Sequence, residues 1–251
     1  MGHYATAQEL FAGALVFARL SAMVMAMPGV GEATTPTRLR LAFALLLCLV
    51  VTPVVYPQLP VIPLTVGELT GDVLREGLIG IAIGAILRSF LAAMASAGEV
   101  ISIATTLSFA QTANPTNGQE NTTLATFLTL MAGVLVMVTD LHHLFLGAIV
   151  RSYTLFPFGH PPPVGDFTQL AIRTTGQAFA IGIQLAAPVL VFSLIFNLAT
   201  GLVGRAMPQF QIYFAAAPLQ VMLGFSLFAL SLGVMGTYWI DRYRDILQTF
   251  G

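Results

Sequence analysis

The residues best suited to chemistry stand together at Asp140-Leu141-His142-His143, inside an otherwise apolar run. Asp140 and His143 are three apart, so a continuous helix puts them on one face. A carboxylate beside an imidazole can ligate a metal, and in a membrane interior it can relay a proton. Two ligands on one face fall short of a metal site. The other histidines, His3 and His160, lie in terminal and loop sequence. The expected role of the cluster is therefore a hydrogen-bonded helix end or an interface, with no metal and no cofactor. No GxSxG, HExxH or P-loop pattern occurs, and nothing pairs the many Ser and Thr residues with a base. Catalysis is not expected.

Two further charges interrupt apolar runs, Arg19 and Arg88. A charge at a bilayer centre costs about 2.5–3.5 kcal/mol on insertion scales. Arg19, Arg88 and Asp140 are therefore expected to face protein or water, pairing with one another inside the fold. Met23, Met25 and Met27 form a deformable cluster suited to irregular packing or to a pore constriction. The single cysteine, Cys48, excludes an internal disulfide and a cysteine zinc site, and it reads as a small core residue.

The elements that must carry these residues are membrane helices. Of the 251 residues 57% are hydrophobic and 8% charged, against about 25% charged in soluble domains. All ten basic residues are Arg and the net charge is −1, so no basic surface invites nucleic acid. The opening MGHYATAQELF lacks the basic region of a cleavable signal. Apolar runs at residues 10–27, 39–55, 66–97, 124–150, 175–202 and 212–238 predict about six long helices in a single domain over 1–251, each near the ~20 residues needed to span. Gly80 and Gly84 have the spacing that lets helices approach closely in lipid. Glu68, Asp72 and Glu76 suit the start of the third helix. The prolines at 53, 57, 60 and 63 predict an extended segment. Residues 156–166, FPFGHPPPVGD, read as a Pro-rich loop, and Pro188 and Pro218 predict kinks.

Between the third and fourth runs lies GEVISIATTLSFAQTANPTNGQENT, residues 98–122. Asn114-Pro115 and Asn117-Gly118 are turn signals, yet Ile101, Ile103, Leu107 and Phe109 make the segment too apolar for a solvated linker. A re-entrant segment, gate or plug fits this composition. The arginines distribute poorly between the two sides of the membrane under either orientation. Some helices are therefore expected to form hairpins inside a larger assembly.

A series of motifs carries a family resemblance. Arg19-Leu20-Ser21-Ala22-Met23, Pro28 with Gly31, and Pro36-Thr37-Arg38-Leu39-Arg40 open it. Glu76 with Gly80 and Gly84, then Ala97-Gly98-Glu99-Val100-Ile101, residues 107–110 and Asn114-Pro115 continue it. Asp140-Leu141-His142-His143, Ser152, Pro157 with Gly159, Asn197 to Gly201, Arg205-Ala206-Met207-Pro208-Gln209 and Pro218-Leu219 complete it. The series resembles the FliR family of flagellar biosynthesis proteins and their virulence counterparts, over nearly the whole chain. It departs from the family pattern at Leu141, where Gly is usual, at Gln211, where Asn is usual, and at Ala216, where Gly is usual.

The resemblance implies an all-α subunit of the type III protein export gate in the bacterial inner membrane, at the flagellar basal body. One copy would join FliP-like and FliQ-like membrane proteins, with an FlhB-like protein beside them, in a helical pore for unfolded substrates. Kinked helical hairpins would replace simple spans. By carry-over the pore plug is residues 107–122, with Leu107, Ser108, Phe109, Ala110, Gln111, Asn114, Pro115, Asn117, Gly118, Gln119 and Glu120. Arg19, Arg88, Asp140, His143 and Arg205 are the expected intramembrane charge and packing positions. The competing reading is a secondary transporter of a small solute, with Arg88 and Asp140 near a midplane site.

Overall fold

The computed structural model describes residues 7–27, 30–31, 35–60, 62–63, 65–108, 122–160, 164–207 and 212–250. They form seven α-helices: α1 Ala7–Val24, α2 Thr37–Val55, α3 Val66–Ala104, α4 Thr123–Val138, α5 Leu141–Leu155, α6 Val164–Ala206 and α7 Ile212–Phe250. Among the described residues there is no strand. The protein is an all-α membrane protein. Among the described residues five helices are long and apolar enough to cross a membrane, and α4 with α5 form a sixth candidate span bent by 78°.

Three helices exceed what a simple span requires. At 1.5 Å per residue, α3 with 39 residues runs about 58 Å. The 43 residues of α6 run about 64 Å. A hydrocarbon core is about 30 Å thick. These helices are longer than that thickness, and longer than the apolar runs 66–97 and 175–202 read from sequence, because each continues through less apolar residues beyond its run.

Several boundaries differ from the sequence reading. The expected loop at 98–122 begins later, because α3 continues to Ala104 and a turn follows over Thr105–Ser108. The residues from Gly98 to Ala104 carry no Pro and no Asn-Gly turn signal, so nothing there stops the helix. The fourth run is two helices. Asp140 takes the left-handed conformation, φ 58° and ψ 17°, which a helix cannot accommodate and which Asp tolerates better than most residues. Pro53 lies inside α2 rather than in an extended segment, near the helix C-terminus, and a 3-10 turn follows over Tyr56–Gln58. The helix α6 starts at Val164, directly after the three prolines, and shortens the expected loop. The C-terminal tail is helical to Phe250.

The chain divides into two compact units. The first comprises residues 1–90, 136–175 and 244–251. Its core stripe on α1 is Phe11, Leu15, Arg19 and Met23 at four-residue intervals, flanked by Ala12, Val16, Leu20 and Val24. Arg19 therefore lies in register with the apolar residues and must enter the core with them. Helix α3 crosses α1 closely: a Cβ on Gly80 would overlap the Arg19 carbonyl, and one on Gly84 would come 2.9 Å from Ala26 Cβ. This is the small-residue approach that the Gly80 and Gly84 spacing predicts. Helix α2 buries only Ala44, Cys48, Val51 and Val55, and Cys48 Sγ lies 3.4 Å from the Gly13 carbonyl. Met23 and Met27 pack in this core, while Met25 is exposed.

The second unit comprises residues 91–135 and 176–243. A Cβ on Gly98 would collide with the Ala125 backbone, so α3 and α4 touch main chain to main chain. Gly182 brings α6 equally close to Ala93 and Ser96 of α3. Phe127 of α4 meets Phe228 of α7 edge to face, with ring centroids 6.3 Å apart. Trp239 stacks on Tyr243 at 5.0 Å. Tyr238 donates to Gln184 Oε1 at 2.6 Å across α7 and α6.

Candidate functional site

The first polar centre is built on Arg19. Its Nε donates to Glu76 Oε2 at 2.6 Å, and the two side chains are 0% and 2% exposed. Its Nη1 donates to the Ser152 carbonyl at 2.9 Å and its Nη2 to the Phe156 carbonyl at 2.8 Å. The Ser152 carbonyl lies in the last turn of α5 and also accepts from the Phe156 amide, and Phe156 is the C-cap residue; a helix C-terminus favours positive charge. The guanidinium also lies 4.4 Å from the ring centre of Tyr153 and 5.4 Å from that of Phe158. Tyr153 in turn donates to the Val16 carbonyl at 3.2 Å. One side chain thus ties α1, α3 and the end of α5. The planar fork of Arg serves this better than an ammonium would.

The expectation that Arg19, Arg88 and Asp140 pair with one another is not met. Arg19 takes Glu76, because Gly80 one turn later brings α3 against α1 and sets Glu76 over the guanidinium. Reading Glu76 as part of a charged helix start missed this role. The available signal was its four-residue spacing from Gly80 and Gly84 on an otherwise apolar face. Arg88 and Arg205 are exposed, and among the described residues Arg88 has no ion-pair partner.

The second polar centre holds the C-terminal end of α3. The Ala104 carbonyl accepts from Ser193 Oγ at 2.8 Å and from Gln220 Nε2 at 2.9 Å. Asn197 Nδ2 donates to Ser193 Oγ at 3.2 Å. Ser193 and Gln220 are buried, on α6 and α7. Gly224 leaves room for Thr105, since a Cβ there would sit 2.7 Å from Thr105 Cγ2. Thr106 follows in the left-handed conformation, φ 61°. At the start of α4, Glu99 Oε1 accepts from the Thr122 amide at 2.8 Å, and Thr122 Oγ1 caps the Ala125 amide at 3.2 Å. Residues 108 and 122, which border the segment between them, are thus both tied to the last two turns of α3.

Of the expected plug residues, Leu107 and Ser108 are half-buried in that turn, and the Ser108 amide donates to the Ser102 carbonyl at 3.2 Å. Phe109, Ala110, Gln111, Asn114, Pro115, Asn117, Gly118, Gln119 and Glu120 lie outside the described residues. Ser193, Asn197, Gln220 and Glu99 were not recognised as a group from sequence. Ser193 and Asn197 share a helix face at i, i+4, and Gln220 follows Pro218 in an apolar run. Only the fold brings Ser193 and Gln220 onto one carbonyl, with Asn197 behind Ser193.

Asp140, His142 and His143 occupy the elbow between α4 and α5. Asp140 Oδ1 lies 3.7 Å from His143 Nδ1, and both side chains are mostly exposed. The imidazoles of His142 and His143 lie 4.1 Å apart, centre to centre.

A helical membrane chain with these motifs in order has the character of an export-apparatus protein. The family described as "Bacterial export proteins, family 1" matches residues 10–246, and the chain belongs to it. A protein named flagellar biosynthetic protein FliR from Caulobacter vibrioides is 55% identical over 250 residues, covering 100% of both chains. The protein of the same name from Escherichia coli K12 is 28% identical over 233 residues, 92% of this chain and 87% of its own. That from Bacillus subtilis is 26% identical over 247 residues, 94% and 95% of the two chains. The resemblance read from the motif series is confirmed.

Proposed function

We propose that the chain is a non-enzymatic subunit of the flagellar type III export gate in the bacterial inner membrane, at the basal body. The observation that carries this reading is the end-to-end likeness to proteins named flagellar biosynthetic protein FliR. The relatives compared are flagellar, which favours flagellar over virulence substrates. One copy joins FliP-like and FliQ-like proteins, with an FlhB-like protein beside them, and lines part of the pore for unfolded chains. Two physical features support an assembled rather than a solitary state. Helices α3, α6 and α7 are longer than a bilayer span requires. Exposed apolar side chains run along α2, α6 and α7, among them Leu46, Leu49, Leu194, Leu198, Leu230 and Val234.

Residues 107–122 act in this reading as the plug of the closed pore, anchored by the clamp on Ala104 and by Glu99. Their single charge, Glu120, leaves a passing chain few electrostatic traps. Native mass spectrometry of the tagged chain, co-expressed with its partner proteins, tests the assembly. One copy in a complex with several copies of small membrane partners supports it. A stable monomer or homodimer that ignores those partners overturns it.

A further inference from the structure

We propose that Asp140, His142 and His143 bind a divalent transition-metal cation of the zinc class at the α4–α5 elbow. On a continuous helix only Asp140 and His143 share a face, and two ligands do not make a site. The structure changes that geometry. The left-handed turn at Asp140 ends α4, bends the chain by 78° and starts α5 at Leu141. One ligand atom from each of Asp140, His142 and His143 then lies within 4.8 Å of the others.

The donor set is two imidazole nitrogens and one carboxylate oxygen. That combination suits borderline cations such as Zn²⁺, Co²⁺ and Ni²⁺ better than the hard Mg²⁺ and Ca²⁺, which prefer all-oxygen shells. Ligand bonds of about 2.0–2.2 Å place tetrahedral donors about 3.3 Å apart. Closing from 4.8 Å calls for side-chain rotation, for which Asp140 and His143, 75% and 69% exposed, have room, while His142 is half-buried. His142 supplies an independent observation. Its Nδ1 is buried without a hydrogen-bond partner among the described residues. A buried polar atom in that state has given up water and received nothing. A cation bonded at Nδ1 supplies the missing partner. Three protein ligands leave the fourth position to water, as in open zinc sites. The site stands apart from the export reading and does not depend on it.

The test uses the full chain with an affinity tag that contains no histidine. Co²⁺ is titrated and its visible absorption followed, and Zn²⁺ is then used to displace it. One equivalent of Co²⁺ should bind at micromolar concentration, with the bands lost on adding Zn²⁺. Asp140→Asn keeps a residue that tolerates the left-handed turn, and His143→Ala removes an exposed side chain, so both variants should fold. Each should weaken binding at least tenfold, while His160→Ala leaves it unchanged. Binding that is only millimolar, or equally tight in Asp140→Asn and His143→Ala, overturns the proposal. His142→Ala adds a third arm and is scored only where its elution profile matches the parent's.

Discussion

Arg19 Nε lies 2.6 Å from Glu76 Oε2, and solvent reaches neither side chain. The pair is 57 residues apart in sequence and joins α1 to α3. Removing one partner of a buried pair leaves an uncompensated charge and costs about 3–5 kcal/mol, whereas replacing both by apolar groups is often neutral. Arg19→Leu and Glu76→Leu should therefore each destabilise strongly, and the two combined should cost less than the sum of the singles. Arg19 also holds the Ser152 and Phe156 carbonyls, so Arg19→Leu should be the worse single change. Denaturation of the detergent-purified variants, arranged as a double-mutant cycle, measures the coupling.

Two glycines on α3 separate close packing from open surface. Gly80→Ala forces a methyl into the Arg19 carbonyl and Ala22, whereas a Cβ on Gly77 meets nothing within 4 Å. Gly80→Ala should lose about 1–3 kcal/mol by overpacking. Gly77→Ala should gain up to about 1 kcal/mol from helix propensity. Comparing the thermal midpoints of the two variants checks the contrast, and equal effects would contradict the α1–α3 crossing.

The clamp on Ala104 makes a local prediction. Gln220→Leu removes one of two side-chain donors to that carbonyl and should cost about 1–2 kcal/mol. Combining it with Ser193→Ala strips both, and the cost should exceed the sum of the singles, because the carbonyl is then buried without either donor. Hydrogen exchange at the end of α3 should accelerate in the double variant, while the α1–α3 crossing in the other unit keeps its protection.

Much of the fold was legible because hydrophobicity dominates it. Apolar runs located the helices, and Gly80 with Gly84 announced a close crossing. The break at Asp140 was not legible, since no proline or glycine marks it and Leu141 stands where the family pattern has Gly. The start of the central segment was misplaced because a weakly polar helical end, from Gly98 to Ala104, resembles a loop in composition. Polar centres were harder still. Arg19 stood out as a charge in an apolar run, but its partner depends on which helix crosses α1. The residues on the Ala104 carbonyl come from α6 and α7, 89 and 116 positions away. No local pattern encodes such pairings; they follow from packing.

In the function proposed above, this chain closes and lines a protein-conducting pore. Ion conductance of the reconstituted export complex tests it most directly, comparing the parent chain with one lacking residues 107–122. Native mass spectrometry confirms that the two complexes assemble alike. A silent parent complex and a conducting deletion complex is the predicted result. An assembled deletion complex that conducts no more than the parent would contradict the account.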